Sequence, residues 1–138
     1  IFSEIHVVSR TRAKCEAVND SIVKKTKGKV KLHIHTGNVG SDGFFLKLLK
    51  EVNPVLVVNW GLPYDNLVVM DACLEYGVNY IDTACYEDPT KYGFSYKRQL
   101  EKNEAFKKKG LLAILGSGFD PGVTNIYSAT HEIIFLIK

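Results

Sequence analysis

The sequence predicts an α/β fold in which an open, doubly wound parallel sheet carries helices on its faces. Two observations indicate this class. Short apolar runs rich in β-branched residues alternate with longer mixed segments, which is the order of strands and helices in such a sheet. The run "PVLVVN", from Pro54 to Asn59, is almost continuously apolar, as expected for a strand that is buried on both faces.

The first half of the chain predicts three strands separated by two helices. "EIHVVSR" predicts a strand that ends near Ser9, and the segment from Thr11 to Lys27 predicts a helix with apolar residues along one side. "KVKLHIHT" alternates strictly and predicts the second strand. The loop "GNVGSDG" then leads to a helix from about Phe44 to Val52, which precedes the "PVLVVN" strand.

The second half predicts two further strands. Pro63 stands at a plausible helix entrance, and "YDNLVVMDACLEYG" predicts a helix that ends at Gly77. "VNYIDTA" predicts the fourth strand, and "CYEDPTKYG" predicts a loop. A charged helix is expected from Ser95 to Lys109, followed by the fifth strand in "LLAILGSG". The next segment, "VTNIYSATHE", could open another helix.

Composition excludes several classes of protein. A length of 138 residues suits one domain, and a net charge of +3 is too weak a bias to indicate a nucleic-acid partner. The longest apolar runs, such as "IIFLI", are far shorter than the roughly 20 residues of a membrane span. The three cysteines lack CxxC spacing, which argues against a disulfide framework and a structural zinc site and favours a reduced, cytoplasmic setting.

The stretch "GSGFDPG" resembles a phosphate-binding glycine loop but does not satisfy its requirements. The third glycine, Gly122, stands one residue late for G-x-G-x-x-G. Pro121 has no N–H to donate, and Asp120 would place a negative charge against a phosphate. The spacing of "GNVGSDG" matches neither a Rossmann loop nor a P-loop, and it predicts a plain loop.

The residues that indicate a nucleotide lie near the start of the chain. In "HVVSRTRAK", a strand is followed by Ser9, Arg10 and Thr11, which fall at the carboxyl edge of the predicted sheet. That edge is where the ribose of a dinucleotide lies, and an arginine there suits a 2′-phosphate. The alternative is that Ser9 or Thr11 only caps the helix and Arg10 is a solvated charge.

Three blocks, "HVVSRTRAKC", "VNPVLVVNWGLPYDNLVVMDACLEYGVNYIDTACYE" and "LLAILGSGFDPGVTN", resemble the saccharopine dehydrogenase-like reductases in order and spacing. Within that family the likeness is greatest to the carboxynorspermidine synthase branch. The resemblance implies a Rossmann-type NAD(P)-binding domain with NADPH as cofactor. It also implies the reductive condensation of L-aspartate β-semialdehyde with a diamine, 1,3-diaminopropane or putrescine, in polyamine biosynthesis.

The same resemblance implies roles for individual residues. The cofactor would be bound by residues that follow three of the strands: Ser9, Arg10, Thr11, Asn59, Leu62, Pro63, Thr83 and Ala84. The substrate would be bound by Tyr86, Asp120, Pro121, Gly122 and Asn125. Asp120 could hold an amine, and the helix start after it could offer N–H groups to a carboxylate. Alternatively, Asp120 and Asn125 only build the turn and cap the helix. No catalytic residue is implied.

The resemblance also has departures. The chain starts in what would be the end of the family's first helix, so we expect 1–138 to be a partial dinucleotide-binding domain that lacks the first strand and its Gly-rich loop. We likewise expect the second, substrate and dimerisation domain to lie outside 1–138, and a homodimer at full length. Two alternatives remain open: a saccharopine reductase with glutamate as the amine, and a nucleotide-binding fragment without chemistry.

The histidines predict no metal site. His33 and His35 are two residues apart on a predicted strand and therefore share a face. No third ligand is near them in sequence, so we expect exposed strand positions and no bound metal.

Overall fold

In a computed structural model, the described residues are 4–41, 43–91, 93 and 95–136, with side chains described up to residue 130. The chain divides into two compact units, Ile1–Val52 and Asn53–Lys138. The described strands form two parallel sheets, one in each unit. The strict alternation of parallel strands with helices confirms the predicted α/β class.

The first unit contains a parallel pair of strands and two helices. In chain order these are β1 (His6–Ser9), α1 (Arg12–Lys25), β2 (His33–Thr36) and α2 (Phe44–Val52). The register sets His6 opposite His33 and Ser9 opposite Thr36. A small apolar core is formed by α1, α2 and the approach to β2, with buried side chains of Cys15, Leu32, Phe45, Leu48 and Leu49.

Strand β2 is shorter than the alternating run "KVKLHIHT" predicts. Strand β2 begins at His33, whose N–H group donates to the Ile5 carbonyl at 2.9 Å, and the N–H group of the preceding Leu32 donates to the side chain of Asn19 on α1 at 2.9 Å. Leu32 is buried, so the alternation reflects packing of this segment beneath the helix before the strand begins. The alternation therefore predicted correctly which side of this segment is buried, but it predicted a longer strand than β2.

The second unit contains a three-stranded parallel sheet in the order β3-β4-β5. Its strands are β3 (Leu56–Asn59), β4 (Asn79–Asp82) and β5 (Ala113–Ile114). A single 3-10 turn (Pro63–Asp65) leads into α3 (Asn66–Tyr76), which ends at Gly77 in the left-handed conformation, as predicted. Two short helices, α4 (Lys97–Leu100) and α5 (Asn103–Lys108), precede β5, and α6 (Val123–Leu136) follows it.

The helix predicted from Ser95 to Lys109 is broken between Leu100 and Asn103. The N–H group of Lys102 donates to the carbonyl of Gln99 three residues back, which tightens the chain at the break. Gln99 is buried by polar contacts with the end of β4, whereas Phe106 on α5 is buried in the apolar core. Gln99 and Phe106 thus anchor the two short helices by different kinds of contact.

All three strands of the second unit run in the same direction, so their carboxyl ends meet at one edge. The loops that follow β3, β4 and β5 contain most of the predicted site residues. No helix within residues 4–136, apart from the masked positions, is long and apolar enough to cross a membrane.

Candidate functional site

The carboxyl edge of the second sheet is organised around one buried carboxylate. Asp82, the last residue of β4, is fully buried and accepts three hydrogen bonds. The Tyr80 hydroxyl donates to its Oδ2 at 2.9 Å, the Gln99 amide to the same oxygen at 2.6 Å, and the Gly116 N–H to Oδ1 at 2.7 Å. The Asp82 carbonyl also accepts the Ser117 N–H at 2.8 Å. Asp82 thereby fastens the loop after β5 to the end of β4.

A second polar chain joins β3 to the loop after β4. Asn59, buried at the end of β3, donates through its amide nitrogen to Asn66 Oδ1 at 2.9 Å and to the Tyr80 hydroxyl at 3.2 Å. Its oxygen accepts the Gly61 N–H at 2.9 Å. The Asn66 amide in turn donates to the carbonyl of Ala84 at 2.8 Å. The structure thus brings the predicted residues Asn59 and Ala84 into one network.

Burial raises the pKa of the Asp82 carboxyl above its ordinary value, and the three donors oppose that rise. Because every contact to its oxygens comes from an N–H or O–H group, the arrangement suits the ionised carboxylate. Burial likewise raises the pKa of Tyr80, so that its hydroxyl keeps the proton it donates to Asp82. This network holds the loops in place and has no group free to transfer a proton.

The "GSGFDPG" stretch forms a close-packed turn after β5. A side chain at Gly116 would meet the hydroxyl of Tyr96, and one at Gly118 would lie 2.7 Å from the carbonyl oxygen of Thr83. Gly122 has φ +131° and faces the backbone of Gly118. Steric constraints therefore account for all three glycines.

The start of α6 is satisfied within this turn. The side chain of Asn125 accepts the Gly122 N–H at 3.1 Å, and Asp120 accepts the Thr124 hydroxyl at 3.0 Å. The expected N–H donors for a substrate carboxylate are already used: Val123 donates to the Gly118 carbonyl at 3.1 Å, Thr124 to Phe119 at 3.0 Å and Asn125 to Gly122 at 3.1 Å. Any substrate contact here would use side chains, and exposed Asp120 offers the only carboxylate of the turn.

The loop after β4 presents a tyrosine and a cation together. The N–H group of Tyr86 donates to the Gln99 side chain at 2.6 Å, which ties this loop to the buried network. The guanidinium of exposed Arg98 lies 4.9 Å from the centre of the Tyr86 ring and donates to its hydroxyl at 3.2 Å. The sequence analysis did not identify Arg98, because one arginine in a charged helix carries no sequence signal of such a contact.

One buried hydroxyl lies beside this network without a hydrogen bond. The Tyr96 hydroxyl is enclosed and has no partner among the residues that the structure describes. Burial raises its pKa, and the neighbouring Cys85 and Asp82 add to that rise. The hydroxyl therefore stays protonated, and it faces Gly116, where the absence of a side chain leaves room for it.

In the first unit, Ser9 ends β1, and Arg10 and Thr11 lie between β1 and the start of α1, as predicted. Thr11 makes no side-chain cap to the helix, and Ser9 Oγ accepts the Thr11 N–H at 3.3 Å. Arg10 is exposed, and no carboxylate pairs with it within the described part of the chain. An uncapped helix start beside an unpaired guanidinium is an arrangement that fits a phosphate group.

The remaining predicted residues lie on the loop after β3. Leu62 is exposed and immediately precedes the 3-10 turn that Pro63 opens. The "GNVGSDG" loop belongs to the first unit, where Gly37 lies against the ring of Phe44, so this glycine has a packing role. The predicted residues thus form two groups in two different units: Ser9 to Thr11 in the first, and all others in the second.

Comparisons with known proteins agree with this fold. The saccharopine dehydrogenase NADP binding domain family matches residues 1–114. Apo saccharopine dehydrogenase (L-Glu forming) from Saccharomyces cerevisiae has a similar fold, with a TM-score of 0.67 and 17% identity over 93% of this chain and 24% of that chain. At this identity the structural likeness concerns the fold alone.

Two curated relatives are closer in sequence. Carboxyaminopropylagmatine dehydrogenase of Synechocystis is 42% identical over 93% of this chain and 31% of its own length. Carboxynorspermidine synthase of Vibrio alginolyticus is 37% identical over 94% of this chain and 33% of its own length. The chain spans about a third of the length of these relatives. The chain belongs to the saccharopine dehydrogenase NADP binding domain family, which confirms the predicted Rossmann-type fold and the prediction of NADP(H) as cofactor.

Proposed function

We propose that the protein containing this chain catalyses the NADPH-dependent reductive condensation of L-aspartate β-semialdehyde with a diamine, 1,3-diaminopropane or putrescine, in polyamine biosynthesis. The observation that carries the proposal is Arg10 at the carboxyl end of β1, which has no carboxylate partner among the described residues, in a chain 37% identical to a carboxynorspermidine synthase. The arginine supports the phosphorylated cofactor, and the relative supports the reaction class.

The first unit would hold the adenosine end of NADPH. Arg10 would pair with the 2′-phosphate, and the hydroxyls of Ser9 and Thr11 would complete its contacts beside the start of α1. Thr11 leaves that helix start uncapped, so an anion there would satisfy N–H groups that have no side-chain partner. This favours the binding interpretation over the alternative in which Thr11 only caps the helix.

The second unit would hold the reactive end. Asn59, Leu62 and Pro63 would lie along the cofactor after β3, and Thr83 and Ala84 would do so after β4. The polar network gives these loops a fixed geometry, since Asn59 and the Ala84 carbonyl are both joined to Asn66. A fixed loop is what hydride transfer needs, because the reacting carbon atoms must be held in contact.

The substrates would meet the loops after β4 and β5. Asp120, with Pro121, Gly122 and Asn125 shaping its turn, would attract the cationic amine that is not reacting. Tyr86 would contact the semialdehyde, and Arg98, held against its ring, supplies a cation for the carboxylate of that substrate. This role for Arg98 replaces the N–H donors of α6, which are used within the turn.

The chemistry conserves atoms and charge in two steps. The aldehyde carbon and the primary amine join with loss of one water to form an imine. When bound, NADPH supplies a hydride to the imine carbon, and a proton from solvent or a side chain completes the secondary amine. No residue of this chain is assigned as the proton donor.

The proposal also covers the domain organisation, the partners and the cellular setting of the protein. Residues 1–138 would form part of the dinucleotide-binding domain, with a separate domain completing the substrate site and a homodimer at full length. The partners would be small molecules and not nucleic acid or membranes. A cytoplasmic setting is supported by three cysteines that are all free thiols.

The names of the two relatives point to a second candidate for the amine substrate. The relative at 42% identity is named for a carboxyaminopropyl derivative of agmatine, whereas the relative at 37% is named for carboxynorspermidine. Agmatine ends in a primary amine as the diamines do, but its other end is a guanidine. Agmatine is therefore the second candidate substrate.

The cofactor assignment is tested by titrating the 138-residue chain with NADPH and NADH while following nucleotide fluorescence. Arg10→Ala should weaken NADPH binding by about 10- to 100-fold, the value of a charge-assisted hydrogen bond, and leave NADH binding almost unchanged. The matched control is Arg12→Ala, since Arg12 is a nearby exposed arginine that pairs with Glu16. Equal losses in both variants would contradict the assignment of Arg10.

The reaction is tested with the longest natural protein that carries this chain. NADPH oxidation is measured with aspartate β-semialdehyde and, in separate assays, 1,3-diaminopropane, putrescine, agmatine or glutamate. Oxidation that requires a diamine supports the leading proposal, and oxidation that requires agmatine supports the second candidate. Oxidation only with glutamate indicates a saccharopine-type reductase, and no turnover by a folded protein that binds NADPH indicates a non-catalytic role.

A further inference from the structure

Three histidines and a glutamate cluster on the first sheet. His6 begins β1 and His33 begins β2, and the parallel register sets these two residues directly opposite each other. His35 lies two residues further along β2 and therefore on the same face as His33. Glu4 precedes β1. The cluster could not be foreseen from the sequence, because 27 positions separate His6 from His33 and only strand pairing joins them.

The distances within the cluster are those of a preformed ligand set. One ligand atom from each of Glu4, His6 and His33 lies within 4.8 Å of the other two. The His6 Nε2 atom is 3.5 Å from a Glu4 carboxylate oxygen. The opposite ring nitrogen, Nδ1, is 2.9 Å from His35 Nε2. The rings of His6 and His33 are stacked, with centroids 4.6 Å apart and planes inclined by 15°.

We propose that Glu4, His6 and His33 bind a divalent transition-metal ion of the Zn²⁺ type, with His35 orienting His6. In a tetrahedral zinc site, ligand atoms about 2.0–2.2 Å from the metal lie roughly 3.4 Å apart. The 3.5 Å between His6 and Glu4 already meets this spacing, and small rotations of exposed side chains would bring His33 to it.

The contact between His6 and His35 fits the same site. A metal-bound histidine ordinarily uses its second ring nitrogen in a hydrogen bond that fixes its tautomer and orientation. His6 has this pair of contacts, with Nε2 towards Glu4 and Nδ1 towards His35.

The location indicates a structural or regulatory role. His6 and His33 are at the amino ends of β1 and β2, whereas Ser9 to Thr11 follow the carboxyl end of β1. Ligands in this fold class bind outside the carboxyl ends of the strands. The ion would therefore not compete with NADPH, and it would tie two strands that are joined by only four paired positions.

The test uses the 138-residue chain, prepared without a polyhistidine tag and freed of metal by a chelator. Zn²⁺ binding is measured by calorimetry, and Co²⁺ is used as a probe whose visible absorption reports nitrogen and oxygen ligation. We expect one ion per chain. His6→Gln and His33→Gln should each weaken Zn²⁺ binding by more than the roughly 10- to 100-fold loss typical of a supporting residue, and His35→Ala should fall within that range.

Matched controls separate this site from adventitious binding. His131→Gln removes the one histidine outside the cluster, and Glu16→Gln removes an exposed carboxylate of α1. Both should bind Zn²⁺ as the unaltered chain does, and circular dichroism should show that each variant is folded. No binding to the unaltered chain, or equal affinity in His33→Gln and His131→Gln, would overturn the proposal, whether or not NADPH binds.

Discussion

The two units of the chain use polar side chains in opposite ways. In the first unit, the polar residues at the strand ends are exposed or half-buried, and Arg10 and Glu4 face solvent. In the second unit, four polar residues are buried among those that the structure describes: Asn59, Asn66, Asp82 and Gln99. The first arrangement leaves groups free for ligands, whereas the second uses them to fasten loops to the sheet.

This difference indicates where substitutions should damage the fold and where they should affect binding alone. A buried polar group is stabilised only while its partners remain, so its loss leaves donors without acceptors. An exposed group exchanges its partner for water at little cost. We therefore expect stability to depend strongly on the network in the second unit and weakly on the strand-end residues in the first.

The largest effect is expected for Asp82→Ala. This change leaves the donors of Tyr80, Gln99 and Gly116 without their acceptor, and we expect the free energy of unfolding to fall by about 3–5 kcal/mol. Urea denaturation followed by circular dichroism measures it. Asp20→Asn, at an exposed position of α1, is the control and should change stability by less than about 0.5 kcal/mol. Similar losses at both positions would remove the contrast between the units.

An intermediate loss of stability is expected for Gly122→Ala, which tests a steric constraint of the second unit. Gly122 has φ +131°, and a new Cβ would overlap the backbone of Gly118, so we expect a loss of about 1–3 kcal/mol. Gly110→Ala is the matched control, because Gly110 also has positive φ, +65°, with nothing within 4 Å. Its cost should be only the backbone strain of about 1 kcal/mol. Thermal unfolding of both variants measures whether overlap with the Gly118 backbone lowers stability beyond the cost of the positive φ.

The smallest effect is expected for Arg12→Ala in the first unit. Arg12 pairs with Glu16 at 2.8 Å, but both side chains are at least half exposed. The pair should contribute about 0.5 kcal/mol or less to stability, and less at high salt. Urea denaturation at low and high salt measures this. A loss approaching that of Asp82→Ala would mean that exposed groups of the first unit do support the fold.

Element order and most helix limits could be predicted from the sequence, since they depend on neighbours along the chain. Helix α2 lies at Phe44–Val52 as expected, and α3 ends at Gly77. The differences lie beside contacts between residues that are far apart in the chain. The Leu32 N–H group, just before β2, donates to Asn19, and Gln99, just before the break after Leu100, donates to Asp82.

The candidate site shows the same division. The placement of Ser9, Arg10 and Thr11 after β1 followed from local pattern, and their role in binding NADPH stays a prediction. No local pattern indicated the contact between Arg98 and Tyr86, or the position of His6 beside His33. Such contacts depend on which strands and helices become neighbours.

By itself, the sequence determined the α/β class and the family, because both depend on residue type and local order. Only the tertiary structure decided that Asp82 is the centre of a buried network and that a glutamate and three histidines meet on one face. The physical reason is the distance along the chain over which each effect acts. Propensity and periodicity depend on a few neighbouring residues. Burial, pKa and ligand geometry depend on groups that strand pairing and packing bring together.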